Sequence, residues 1–364
     1  MIEILPFRLR LATEYRWAKG VQTERRGLLV RVEAWGAEGF GECAPPIHLD
    51  TDPQAMAAEA RALVAGIPAD AEDFLARLDA RGPDPRLRCG IAAAWLAARA
   101  AAAGRPLGAF LAGRDVPARI PVNGLVTEKT PDEAAARAAA LVAQGFRTLK
   151  VKCWDDRAAD VARVGAIRAA APHAALRLDA NEAWHPDWSL DHLRDLARFG
   201  LDYVEQPIPS WCGMAQLAAF RRASPVRVAL DESATDPDSL SAILAARAAD
   251  VVILKTQRAG GPDRAAGMIR RAAEAGVQVT VTVSLESAIG TAVALHVASL
   301  LPEPLPDCGL AMGRFLAEDL GEMPAIEQAT MAVPPGAGLG LAPAPGALAR
   351  LRGYRAPDAF TRPL

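Results

Sequence analysis

Six ionisable residues stand at the ends of short apolar runs between Leu149 and Gln257. Lys150 and Lys152 follow Thr148-Leu149, and Asp179 closes Leu176-Arg177-Leu178. Glu205 closes Tyr203-Val204, Asp231 closes Val228-Ala229-Leu230, and Lys255 closes Val251-Val252-Ile253-Leu254. Charge at the end of a buried strand is costly unless it is paired or used. A single acid at a βα junction is usually a helix cap or an ion-pair partner. Three equally spaced acids bracketed by lysines do not fit that account. Asp179, Glu205 and Asp231 are hard oxygen donors with no cysteine or histidine beside them, a set that selects Mg2+, with Mn2+ able to substitute, over zinc. Asn181 and Glu232, their sequence neighbours, are placed to orient the ligands or the lysines. Lys150 and Lys152 share one side of a strand. Two ammonium groups that close disfavour double protonation, so one pKa is expected to fall toward working pH, as a general base requires. Lys255 would face the metal from the opposite wall. A metal-held carboxylate with an amine on each face is an arrangement for removing an α-proton and stabilising the enediolate that results.

The use of lysine sharpens this reading. Only five of the 41 basic residues are lysine, namely Lys19, Lys129, Lys150, Lys152 and Lys255. Arginine serves wherever a fixed positive charge suffices, yet arginine is a poor proton acceptor and lysine is tunable. Three of the five lysines fall at expected strand ends.

The elements that must carry these residues are legible in the pattern. Strands are expected at 119–125, 148–153, 176–180, 203–206, 226–231, 251–255, 277–283 and 307–311. Helices are expected near 131–144, 157–170, 189–199, 213–223, 237–248, 262–275 and 288–301. That alternation implies parallel strands, and eight strands with seven intervening helices predict an α/β fold, a (β/α)7β TIM-type barrel whose catalytic groups gather at the C-terminal mouth. No G-x-G-x-x-G follows the first strand, which argues against a dinucleotide fold. Upstream, strands at 2–10, 28–35 and 38–43 and helices at 53–65, 71–81 and 88–103 predict an α+β capping domain. The expected division is 1–115 for the cap and 116–321 for the barrel, with 322–364 packing back on the cap. Ala12–Gly27, polar and aromatic-bearing, reads as a long loop of the kind that forms lids.

The 364 residues, 51% of them apolar and 23% charged, describe a soluble globular protein, and the net charge of -2 gives no electrostatic case for nucleic acid or an acidic membrane surface. No apolar run is long enough to span a bilayer. No secretory signal is evident at the N-terminus. Five scattered cysteines without a C-x-x-C pair suit reduced thiols, so a cytoplasmic location is expected. Oligomeric state is not specified by the sequence, which is compatible with a homo-oligomer.

These motifs resemble the enolase superfamily, specifically its muconate-lactonizing subgroup. K-x-K at Lys150/Lys152, D-x-N at Asp179, E-Q-P at Glu205, D-E-S at Asp231 and Lys255 ahead of Gly260-Gly261 match in type, order and spacing. The resemblance includes Gly39-Phe-Gly-Glu-Cys-Ala-Pro-Pro46 in the cap. It implies a metal at the three acids and Lys152 and Lys255 as the acid/base pair, with Lys150 beside them. Ser284-Leu-Glu-Ser-Ala-Ile-Gly290 and Cys308-Gly-Leu-Ala-Met-Gly313 look like o-succinylbenzoate synthases. Dipeptide epimerases of the subgroup carry D-x-D where this chain has Asp307-Cys-Gly309, and mandelate racemase relatives use a strand-seven histidine, whereas His296 lies in the following helix. The resemblance therefore implies a lyase that dehydrates 2-succinyl-6-hydroxy-2,4-cyclohexadiene-1-carboxylate to o-succinylbenzoate in menaquinone biosynthesis. The alternatives are an N-succinylamino acid racemase or muconate-type cycloisomerase of the same subgroup and, more remotely, a Schiff-base aldolase using Lys255. The partner expected is a small-molecule carboxylate. Ser284, Glu286, Gly260 and Gly261 are candidate substrate contacts, and Arg258 departs from the apolar residue usual there, which points toward a different carboxylate substrate.

Overall fold

The computed structural model describes residues 1–17, 20–46 and 51–353. It begins with an antiparallel sheet of β1 (Ile2–Trp17), β2 (Gly20–Ala34) and β3 (Ala37–Cys43). Helices α1 (Pro53–Val64), α2 (Phe74–Asp79), α3 (Pro85–Ala102) and α4 (Leu107–Ala112) follow. Asp52 caps α1 by accepting from the Gln54 and Ala55 amides, and Pro53 occupies the first turn. The alanine-rich α3 is buried on nearly every face, since small side chains let it lie against the sheet.

Where a loop is expected at Ala12–Gly27, residues 12–17 and 20–27 instead continue β1 and β2 as paired strands, with a register slip between Arg10 and Tyr15. Residues 12–14 are exposed, so no alternation of apolar and polar residues marks the strand there. Lys19 lies outside the described residues.

From β4 (Arg119–Pro121) and β5 (Gly124–Val126) the chain alternates. It runs through α5 (Pro131–Ala143), β6 (Thr148–Lys152), α6 (Arg157–Ala170), β7 (Ala175–Asp179) and α7 (Pro186–Ala197). Then come β8 (Leu201–Glu205), α8 (Gly213–Ala223), β9 (Arg227–Leu230), α9 (Pro237–Ala246) and β10 (Val251–Leu254). A short α10 (Thr256–Ala259), then α11 (Pro262–Glu274), β11 (Gln278–Val281) and α12 (Ala288–Ala298) complete the series. Seven strands, β5 to β11, form one parallel sheet in chain order, curled as in an α/β TIM-type fold. The eighth strand expected at 307–311 is reduced to two parallel bridges, Val122 with Cys308 and Thr282 with Gly309. These still join the two edges of the sheet, through Asn123 N to Cys308 O at 3.0 Å and Gly309 N to Val281 O at 2.9 Å. Pro304 and Pro306 precede this stretch and cannot donate to a ladder, which limits how long a strand can form.

The C-terminal segment divides. β13 (Thr330–Ala332) pairs with β4 on one side and with β12 (Ile326–Glu327) on the other, whereas α13 (Pro345–Arg352) reaches β1, where Arg352 holds Glu3 at 2.8 and 2.9 Å. The apolar core follows the same division, with one large cluster under the N-terminal sheet and another around the barrel. A small inner cluster of Tyr203, Ala229, Val251 and Ile253 fills the barrel itself.

Candidate active site

Strand register places the charged residues. Lys152 is paired with Asp179, Asp179 with Glu205, Glu205 with Ala229, and Ala229 with Val251. Residues paired in register point to the same face, and that face repeats every second residue. Because Ala229 and Val251 belong to the inner cluster, Lys150, Lys152, Asp179 and Glu205 point inward. Asp231 and Lys255 continue the same parity past the ends of β9 and β10. The sequence thus delivers all six to the C-terminal mouth.

There they form one network. Lys150 Nζ lies 2.8 Å from Asp179 Oδ2 and 2.7 Å from Glu205 Oε1, bridging two acids. Lys152 Nζ donates to Asp179 Oδ2 and to Asn181 Oδ1, both at 2.6 Å. Across the mouth, Lys255 Nζ donates to Asp231 Oδ2 at 2.7 Å. Asn181 Nδ2 donates to Glu232 Oε1 at 3.2 Å, so both expected orienting residues are joined to the network. Arg258 donates to the backbone oxygen of Asp231 at 2.9 Å and also pairs with its carboxylate. Its departure from an apolar residue therefore supplies a second positive charge to Asp231, beside that of Lys255. Asn181, Glu182, Gln206 and Leu285 all have positive φ and follow strand ends, a concentration of backbone strain typical of functional loops.

At Lys150 the shift runs upward, away from working pH. Burial alone would pull the Lys150 pKa down, but Asp179, Glu205 and Asp231 outweigh it and hold that pKa well above the usual lysine value. Burial raises the pKa of Asp179, yet Lys150 and Lys152 reverse this and leave it lowered. In Asp231 the same burial is overcome by Arg258 and Lys255. Glu205 goes the other way, pushed up to about 8 by burial and by the charge of Asp179, against the pull of Lys150.

Over this floor lies a cavity of about 220 Å3 lined by Lys150, Lys152, Asp179, Asn181, Glu232, Lys255 and Arg258. Its other walls include Asn123, Gln257, Thr282, Ser284, Gly309 and Met312, with Ala44, Pro46 and Arg86 from the N-terminal layer. Of the four expected substrate contacts, only Ser284 lines it. Glu286 is buried and accepts from the Ser284 amide, which shapes the loop that carries Ser284. Gly260 and Gly261 have φ of 85° and 130°, and they make the turn into α11. The Gly260 carbonyl accepts from Arg88 of α3 at 2.6 Å, so this pair joins the two layers and does not face the cavity.

Gln257 and Gln206 were not singled out from sequence. The Gln257 amide donates to Glu42 O at 2.7 Å and accepts from Ala44 N at 2.9 Å, tying the residues after Lys255 to the end of β3. Gln206 accepts from the amides of Asp231 and Ser233 at 3.0 and 3.2 Å, setting the turn after Asp231. Gln206 sits within the E-Q-P motif, so its signal was present, whereas Gln257 has none. His296 is a structural pin: Nδ1 accepts from Gly108 N at 3.1 Å and Nε2 faces Leu339 O at 3.0 Å.

Among the described residues no three acids stand close enough to form a ready cage for a metal, because lysine ammonium groups lie between them. The donor chemistry nevertheless fits a divalent cation. Three buried carboxylates converge on one mouth, and Glu205 Oε2 is buried with no hydrogen-bond partner. Such an orphaned buried oxygen is expensive, and a cation bound there relieves it and favours the ionised carboxylate.

With this site on the barrel mouth, the chain belongs to the enolase superfamily: residues 133–347 match the family model described as Enolase C-terminal domain-like. Within it, the chain is similar to o-succinylbenzoate synthases. It is 40% identical to that of Thermobifida fusca over 211 residues, covering 57% of this chain and 64% of that one. It is 35% identical to that of Mycolicibacterium smegmatis over 250 residues, covering 67% and 73%. The matched region thus spans just under two thirds of the Thermobifida protein. Among solved structures, muconate lactonizing enzyme from Pseudomonas fluorescens complexed with muconolactone superposes with a TM-score of 0.88 at 26% identity, covering 96% of this chain and 98% of that one. Dipeptide epimerase from Cytophaga hutchinsonii, complexed with Mg and D-Ala-L-Val, gives 0.88 at 25% identity, covering 96% and 97%.

Proposed function

We propose that the protein is a Mg2+-dependent o-succinylbenzoate synthase, dehydrating 2-succinyl-6-hydroxy-2,4-cyclohexadiene-1-carboxylate. The observation that carries this reading is the pair of lysine-bearing walls, Lys152 on one and Lys255 on the other, over three buried carboxylates. Asp179, Glu205 and Asp231 would hold the cation, competing with the ammonium groups for the same oxygens. When bound, the cation supplies positive charge that stabilises the enediolate form of the substrate carboxylate. Lys152 takes the α-proton and returns a proton to the departing hydroxide on the same face, so that water leaves and the ring becomes aromatic. Lys255 lies against the opposite face and opposes the negative charge that builds there. Asn181 holds Lys152, and Asp231 holds Lys255, in position for these roles. Lys150 keeps Asp179 and Glu205 from repelling each other.

An amine-binding acid of the epimerase type has no room. A Cβ at Gly309 would come 2.8 Å from Thr282 Cγ2, and Asp307 is turned to Thr148 Oγ1 at 2.5 Å. That favours dehydration over epimerisation of dipeptides. An N-succinylamino acid racemase is the second reading, since amines on both faces suit a two-base exchange. Incubation with N-succinyl amino acids in D2O separates the two. A synthase alone leaves them unlabelled and optically pure, whereas rapid α-deuteration with racemisation contradicts a dehydration-only enzyme.

A further inference from the structure

Among the described residues five cations line the cavity, and four belong to the floor. Lys150, Lys152, Lys255 and Arg258 are each engaged by Asp179, Glu205 or Asp231. Arg86 is different. It enters from α3, on the N-terminal layer, alongside the wall made by Ala44 and Pro46. Its Nη1 donates to Asp84 Oδ2 at 2.8 Å, but its Nε is buried with no hydrogen-bond partner among the described residues. Asp84 does not line the cavity, is 41% exposed, and already caps α3 by accepting from the Arg86 amide at 2.8 Å. Arg86 thus lines the cavity with its guanidinium hydrogen-bonded only through Nη1, to a partly exposed acid, and the planar fork left over suits a carboxylate.

We propose that Arg86 forms a second anion subsite, on the cap side of the cavity, for a carboxylate distinct from the one held at the floor. With the reacting carboxylate at the floor, the distal acid of a dicarboxylate would reach Arg86 on α3. This rests on the proposed reaction only in placing the reacting carboxylate at the floor.

The test is calorimetric titration of the magnesium-loaded protein with o-succinylbenzoate and with 2-butyrylbenzoate, which has a methyl group where the distal carboxylate would be. Arg86→Gln is expected to weaken o-succinylbenzoate by about 10–100-fold, the loss of one charge-assisted hydrogen bond. Binding of 2-butyrylbenzoate should stay within about threefold, because its missing acid never used that bond. Arg86→Lys should fall between, and Asp84→Asn, which keeps a helix cap while removing the competing charge, should tighten o-succinylbenzoate alone. If Arg86→Gln does not fold, these two variants carry the test. Unchanged affinity for o-succinylbenzoate, equal weakening of both ligands, or no binding of o-succinylbenzoate to the wild type overturns the subsite. A wild-type protein that binds o-succinylbenzoate through Arg86 yet never forms it from the cyclohexadiene ends the proposed reaction and leaves the subsite standing.

Discussion

Lys152 and Arg258 show how differently two cations are used at one barrel mouth. Arg258 is tied to the backbone and carboxylate of Asp231, a fixed charge holding a fixed charge. Lys152 donates to Asp179 and Asn181 from a side chain that lines the cavity, where a proton can pass between amine and ligand. Lys152→Arg keeps the charge and removes the cycling proton, since guanidinium does not deprotonate at working pH. Turnover should fall by about 10²–10⁴-fold, the range for loss of a general base, with thermal unfolding unchanged. Retained turnover in steady-state assays would move the base elsewhere. The types and order of the six charged residues were readable from sequence because each ends an apolar strand. Their protonation was not, because the Lys150 pKa depends on three acids that only folding brings beneath it.

At the scale of elements, the strands and helices of the barrel were legible because each buries one face with a clear period, and proline or a capping acid often marks where a helix starts. Two elements were not. The outer β1–β2 arm carries exposed side chains and so lacks alternation, and the eighth strand is only two bridges, held in place by the ring closing around it. Gly260 and Gly261 likewise read as substrate contacts, whereas they meet Arg88, a residue far away in sequence. Helix α12 gives a pH-dependent prediction. Its His296 is buried between the Gly108 amide and the Leu339 carbonyl, and burial lowers its pKa to about 4. The imidazole is neutral in the folded state, so the unfolded chain binds the extra proton first. This contribution to stability is complete above about pH 6.5 and is lost as pH falls toward 4, amounting to on the order of 3 kcal/mol. Urea unfolding of wild type and His296→Gln across that window should show the wild type losing stability more steeply. Parallel curves would mean that the histidine titrates alike in both states.

For the whole molecule, we propose that residues 1–115 form a cap over the barrel of 116–321 and that the described part of the C-terminal segment, 322–353, serves both, on the strength of the two core clusters and the split course of that segment. The layers are pinned at the site itself. Gln257 ties the stretch after Lys255 to β3, and Arg88 joins α3 to Gly260 and Asp263. The cavity is thereby shared, with Lys150 and Lys152 on β6, Lys255 just past β10, and Arg86 on α3. Among the described residues no helix is long and apolar enough to cross a membrane. What the account requires of this assembly is a divalent cation at Asp179, Glu205 and Asp231. The most direct test follows o-succinylbenzoate formation from the cyclohexadiene substrate by ultraviolet absorbance, in protein stripped with EDTA and then titrated with Mg2+. No product is expected in chelator, with full recovery on adding the metal. Undiminished turnover in chelator, with Lys255 trapped by borohydride, would contradict a metal-dependent synthase and leave a Schiff-base enzyme in its place.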